Sequence, residues 1–170
     1  MRAAGRTMVL RKGRDESEQH VLLKALVFAL YADRYPGLAV EVSVGHRYKP
    51  DLVALDDEGR PLLWAECGQT GRDKIAHLLR RLPDTHLVFA KQATRLDPLE
   101  QIIHQGWPNR GRTGPVELLS FPADAAHHLE AAALTPCQPE ERVMVGGSNA
   151  LVRSDYGRKA GEASRSGVAI

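Results

Sequence analysis

A chain of 170 residues, 43% hydrophobic and 26% charged, has room for one good core and is short for two. A net charge of +2 and a pI near 8.6 make no strong case for nucleic acid from the whole molecule, so any such role must rest on local arginine clusters. The longest apolar run, 21–32, contains Lys24 and is too short to span a bilayer; residues 1–14 lack the apolar centre of a secretory signal; Cys67 and Cys137 fit no metal spacing. These features imply a cytoplasmic protein with no membrane segment and two reduced thiols.

In chain order, 6–11 reads as a short strand. Asp15, Glu16, Ser17 and Glu18 supply cap and first-turn residues for a helix over about 16–35 that is apolar almost all round, and Pro36-Gly37 stops it. Residues 38–44 alternate as a strand. Strands at 51–55 and 62–67 form a hairpin about the Asp56-Asp57-Glu58-Gly59 turn. A helix over 72–82 carries Ile75, Leu78, Leu79 and Leu82 at helical spacing, and 86–91 is the buried strand expected after a crossover helix. A short helix over 97–105, a loop over 107–114, a strand over 116–121 and a helix over 123–134 follow. A terminal hairpin uses 143–145 and 150–152. The expectation is a single domain over 1–155 of the α/β class, a mixed sheet flanked by helices, with 156–170 a weakly ordered tail.

Two carboxylates dominate the hairpin. Asp51 opens its first strand, Glu66 lies near the end of its second, and the hairpin returns both to one end. Glu66 sits within Leu-Leu-Trp-Ala-Glu-Cys, where an unpaired charge is costly. Two such acids call for a divalent cation, or for pairing with Lys74, Arg47 or Lys49.

The order of elements, with Pro50-Asp51 on one strand and Glu66-Cys67-Gly68 on the next, resembles the PD-(D/E)XK nuclease superfamily. Leu63-Trp64-Ala65-Glu66-Cys67-Gly68-Gln69 with Asp73-Lys74-Ile75 is similar to the YaeQ family of that fold, as are 26–32 and the terminal hairpin. The resemblance spans about residues 8–155 and implies a restriction-endonuclease-like core. It implies Mg²⁺ (or Mn²⁺) held by Asp51 and Glu66 for hydrolysis of phosphodiester bonds in DNA or RNA. Glu18 on the first helix is expected to complete the metal site, with Glu16 as runner-up. The superfamily's lysine position is occupied here by Gly68, so Lys74 and, more weakly, Gln69 are the candidates to orient water or phosphate. The alternative is a catalytically degenerate member that binds nucleic acid or protein. Arg72, Arg80 and Arg81 with His77, and Arg110 and Arg112 about Trp107, are weighed as phosphate contacts against plain surface charge, which is the slightly favoured reading.

Overall fold

The structure, a computed structural model, describes residues 2–3, 6–7, 10, 12–92, 95–108, 111–122, 125 and 140–144. Two short strands, β1 (Arg2–Ala3) and β2 (Arg6–Thr7), pair with each other. Then come α1 (Glu18–Tyr31), β3 (Ala39–Val40), β4 (Leu52–Leu55), β5 (Pro61–Cys67), α2 (Arg72–Arg81), β6 (His86–Gln92), α3 (Asp97–Gly106), β7 (Val116–Phe121) and β8 (Glu140–Met144). The six strands β3 to β8 form one sheet in sequence order. β5, β6 and β7 run parallel, while β3–β4, β4–β5 and β7–β8 pair antiparallel.

Alternation along the strands divides the core into two layers. Leu63, Ala65 and Cys67 of β5, with Val88, Ala90 and Leu119, pack against Leu23, Leu26 and Val27 of α1. Trp64, Leu87, Phe89 and Leu118 pack on the other face against Ile75, Leu78 and Leu79 of α2 and Leu99 and Ile103 of α3. The two crossover helices therefore share one face and α1 covers the other. Parallel strands buried on both faces explain the near-continuous apolar runs of β5, β6 and β7.

Several boundaries depart from the sequence reading. α1 starts at Glu18 because Ser17 is the cap: its backbone is extended and its hydroxyl accepts from the His20 N–H at 3.1 Å. The strand expected over 38–44 is only two residues long. Glu41 adopts φ +54, which ends the ladder, and Val42 is left 40% exposed. The first strand of the terminal hairpin is found as β8, whereas its return strand, the 123–134 helix apart from Ala125, and the 156–170 tail lie outside the described residues.

Arg112 lies in the expected loop, but the reading of it as surface charge or a phosphate contact is corrected. Arg112 is buried, and its guanidinium donates to the carbonyls of Leu82 at 2.8 Å and Thr85 at 2.7 Å, with longer contacts to Leu79 and Pro115. It lies over the Trp107 ring and pins the end of α2 to the start of β7. Burial lowers its pKa to about 10, with Asp84 acting in the opposite sense. This arginine holds the fold together and does not reach out for phosphate. Arg110 lies outside the described residues.

Candidate functional site

The pairing of Leu52 with Ala65 brings Asp51, the residue before β4, to the end of the hairpin where Glu66 lies. The Asp51 N–H donates to Ala65 O at 3.1 Å, which holds the residue at the strand end. Its carboxylate accepts from the Cys67 backbone N–H at 2.7 Å and meets His20 Nε2 of α1 at 3.0 Å. Asp51 thus bridges the end of β5 to α1.

Glu66 belongs to the other layer. Trp64, two residues earlier on the same strand face, donates its indole N–H to Glu66 Oε1 at 2.7 Å. The Lys74 ammonium, from the first turn of α2, reaches Oε2 at 2.5 Å and the Lys49 carbonyl at 3.3 Å. The Tyr48 ring, 5.6 Å from that ammonium, flanks it. Burial pushes the Glu66 pKa up; the Lys74 and Trp64 hydrogen bonds and the Lys74 charge work against it, and the Asp51 charge adds to it.

A third group of charges adjoins Asp51. Lys24, 1% exposed, is held between the carboxylates of Glu16 and Glu41, and Glu16 also lies 3.8 Å from His20. Burial would lower the Lys24 pKa, but the two carboxylates outweigh it and raise it. The Lys24 hydrogen bond holds Glu41 low against its own burial. Glu16 ends low as well, since Lys24, the Gly13 N–H and His20 together overcome its burial.

The structure therefore brings Asp51, Glu66 and Lys74 to one end of the sheet. Gln69, exposed just beyond Gly68, borders the same end. Glu18 is not brought there. Its side chain is 91% exposed and its ion pair is with Lys12 at 3.9 Å. With Ser17 as the cap, the helix begins two residues after the expected start at about residue 16, and it is Glu16 that turns inward. Cys67 is a buried core thiol whose pKa burial raises well above normal, as expected for a group with no nucleophilic role.

His20, Lys24 and Glu41 were not singled out by sequence reasoning. One signal existed: Glu16, His20 and Lys24 recur every four residues, a polar stripe on an otherwise apolar helix. Glu41 carried no such signal, since its inward turn depends on a left-handed backbone.

Among the described residues, no three His, Cys, Asp or Glu side chains gather as a ready-made metal-binding group. The carboxylates of Asp51 and Glu66 are hard oxygen donors. They match a Mg²⁺-type ion that keeps several waters and takes one or two carboxylates plus substrate phosphate. A cleft of about 310 Å³ opens beside His20, the partner of Asp51, and is lined also by Gly68, Gln69, Lys91 and Gln92. It lies at the carboxyl ends of the parallel strands β5 and β6, where open α/β sheets bind their ligands.

These features define an α/β protein with a mixed sheet and an acidic pair at the carboxyl end of its central strands. No protein-family model matches the chain, and no curated protein does. Among solved structures it is similar to the YaeQ protein from Xanthomonas axonopodis pv. citri, with a TM-score of 0.50 and 20% identity over 82% of this chain and 79% of that one. It is also similar to the YaeQ protein from Pseudomonas syringae, with a TM-score of 0.50 and 21% identity over 73% of this chain and 64% of that one. The chain has the fold of the YaeQ proteins. Among the described residues, no helix is long and apolar enough to cross a membrane.

Proposed function

We propose that this chain is a divalent-cation-dependent phosphodiesterase acting on nucleic acid, on the plan of the PD-(D/E)XK nucleases. The observation that carries this reading is that Asp51 and Glu66 lie at the same end of the β4–β5 hairpin, with the Lys74 ammonium delivered to Glu66 from α2. Asp51 and Glu66 would hold Mg²⁺ or Mn²⁺. When bound, such an ion supplies positive charge to the phosphoryl oxygens and acidifies a nearby water.

The chain's own groups account for the rest. Lys74, fixed by Glu66, Lys49 O and Tyr48, keeps a positive charge beside the acids in the role that Gly68 cannot fill. His20 orients Asp51, and the Gln69 amide offers a donor and an acceptor to water or phosphate. Incubation of DNA and RNA, single-stranded and duplex, with Mg²⁺ against an EDTA control tests the reading. Cleavage is expected in the wild type and lost in Asp51→Ala and Glu66→Ala. Equal cleavage by all three proteins overturns it.

A second reading has its own support. All four oxygens of the acidic pair already have a protein partner: His20, Cys67 N–H, Trp64 and Lys74. A degenerate member that binds nucleic acid without cutting would look like this. Metal-independent binding with a steep salt dependence and no cleavage favours it.

A further inference from the structure

The recessed acids restrict what can reach them. Glu66 is 4% exposed and the Asp51 side chain 18%, so a rigid double helix laid across the surface cannot bring a phosphate against both. The cleft at the ends of β5 and β6 adjoins Asp51 through His20, which lines the cleft and meets the Asp51 carboxylate at 3.0 Å. Gly68, with φ +80, is part of its lining, and a Cβ there would lie 3.9 Å from His20 Nδ1. One wall is closed by Gln19, which donates to Gln92 at 2.5 Å, while Gln92 donates to Pro122 O at 3.1 Å.

Two polar groups in this cleft are left for a ligand. The half-buried Lys91 and the exposed Gln69 each line it without a hydrogen bond or ion pair to any described residue. A half-buried ammonium that the fold leaves unpaired suits an anion, and a free side-chain amide suits the edge of a base or a ribose hydroxyl. A volume of about 310 Å³ suits a single small-molecule-sized unit.

We infer that the cleft is a subsite for one unpaired nucleotide, its phosphate on Lys91 and its base or sugar on Gln69, so that the substrate is single-stranded nucleic acid or a frayed strand end. The inference rests on the nucleic-acid part of the proposed function and is independent of whether the bond is cut. An unpaired strand can bend its backbone into the cleft and toward the adjoining Asp51, whereas a closed duplex would first have to be opened.

The test is fluorescence anisotropy in EDTA, comparing a short labelled single strand with a hairpin duplex of the same sequence closed at both ends. The single strand should bind at least about tenfold more tightly. Lys91→Ala should weaken that binding about tenfold and reduce the slope of log K against log salt by about 0.7, one phosphate contact on a single strand. Lys91→Arg should restore the slope, and Gln69→Ala should weaken binding severalfold with the slope unchanged. Lys91→Gln, which retains the stem, gives the same reading should the alanine variant fail to fold. Equal affinity for the two probes, no binding to either, or an unchanged slope in both neutral variants overturns the inference. EDTA keeps the outcomes separate: binding of this kind without cleavage in Mg²⁺ defeats the catalytic reading alone, and cleavage without it defeats the subsite alone.

Discussion

Each end of the central sheet carries a buried glutamate with a histidine nearby, yet the two ends are built for different purposes. At the amino ends of β6 and β7, Glu117 accepts from the Tyr31 hydroxyl and meets His86 Nε2 at 2.7 Å, while His86 Nδ1 meets the Tyr35 hydroxyl at 2.9 Å. Glu117 and His86 are buried, Tyr31 and His86 stack edge to face, and none of these residues lines the cleft at the other end. At the carboxyl ends, Glu66 is just as buried, but Asp51, His20, Lys74 and Lys91 are all partly exposed, and His20 and Lys91 line a cleft. Burial of charge is common to both clusters. Access and unpaired polar groups distinguish the candidate site, whereas a closed and satisfied network specifies the fold.

The comparison can be broken by substitution. The largest effect expected is on catalysis: Asp51→Ala or Glu66→Ala should reduce Mg²⁺-dependent cleavage about a thousandfold, or about 4 kcal/mol of transition-state stabilisation, measured as initial rates on proteins of unchanged circular dichroism. At the opposite end, Glu117→Ala leaves His86 and Tyr31 without their shared acceptor. It should cost about 3 kcal/mol of stability in urea unfolding while leaving cleavage per folded molecule unchanged.

Between these extremes lies Lys24→Met, which leaves Glu16 and Glu41 without their shared cation. A loss of about 2 kcal/mol at neutral pH is expected, less than for a fully buried pair because Glu41 is 44% exposed. The pH dependence has a definite sign. Glu16 and Glu41 are held below the ordinary value of 4.5, so their contribution is complete above that pH and is lost as pH falls through their lowered folded values. The gap between wild type and Lys24→Met should therefore narrow below about pH 4.5, as unfolding curves across the acid range would show. The smallest effect belongs to Glu18→Ala, expected within about 0.5 kcal/mol of wild type in stability and equal to it in cleavage and Mn²⁺ affinity, since Glu18 stands in solvent with only Lys12 beside it.

The sequence carried much of this layout because its signals were local. The hairpin of Asp51 and Glu66, the apolar faces of α2 and α3 and the buried β6 follow from spacing and turn residues alone. So did Lys74 as a partner for Glu66, since α2 begins only a few residues after β5. What remained hidden depended on contacts distant in the chain or on backbone sign. The Glu16 and Glu18 alternatives are two residues apart, and the cap at Ser17 decides which turns inward. Glu41 reaches Lys24 only through its left-handed φ, which also shortened β3. Arg112 read as loop charge because its acceptors are backbone carbonyls, which leave no trace in side-chain pattern.

The central claim is that Asp51 and Glu66 act as one cation site. Calorimetric titration of the wild-type chain with Mn²⁺, repeated on Asp51→Ala, Glu66→Ala and Glu18→Ala, tests it most directly. The account predicts one Mn²⁺ site in the wild type and in Glu18→Ala that is lost in each of the other two. Absence of binding in the wild type, or equal binding in all four proteins, would contradict it.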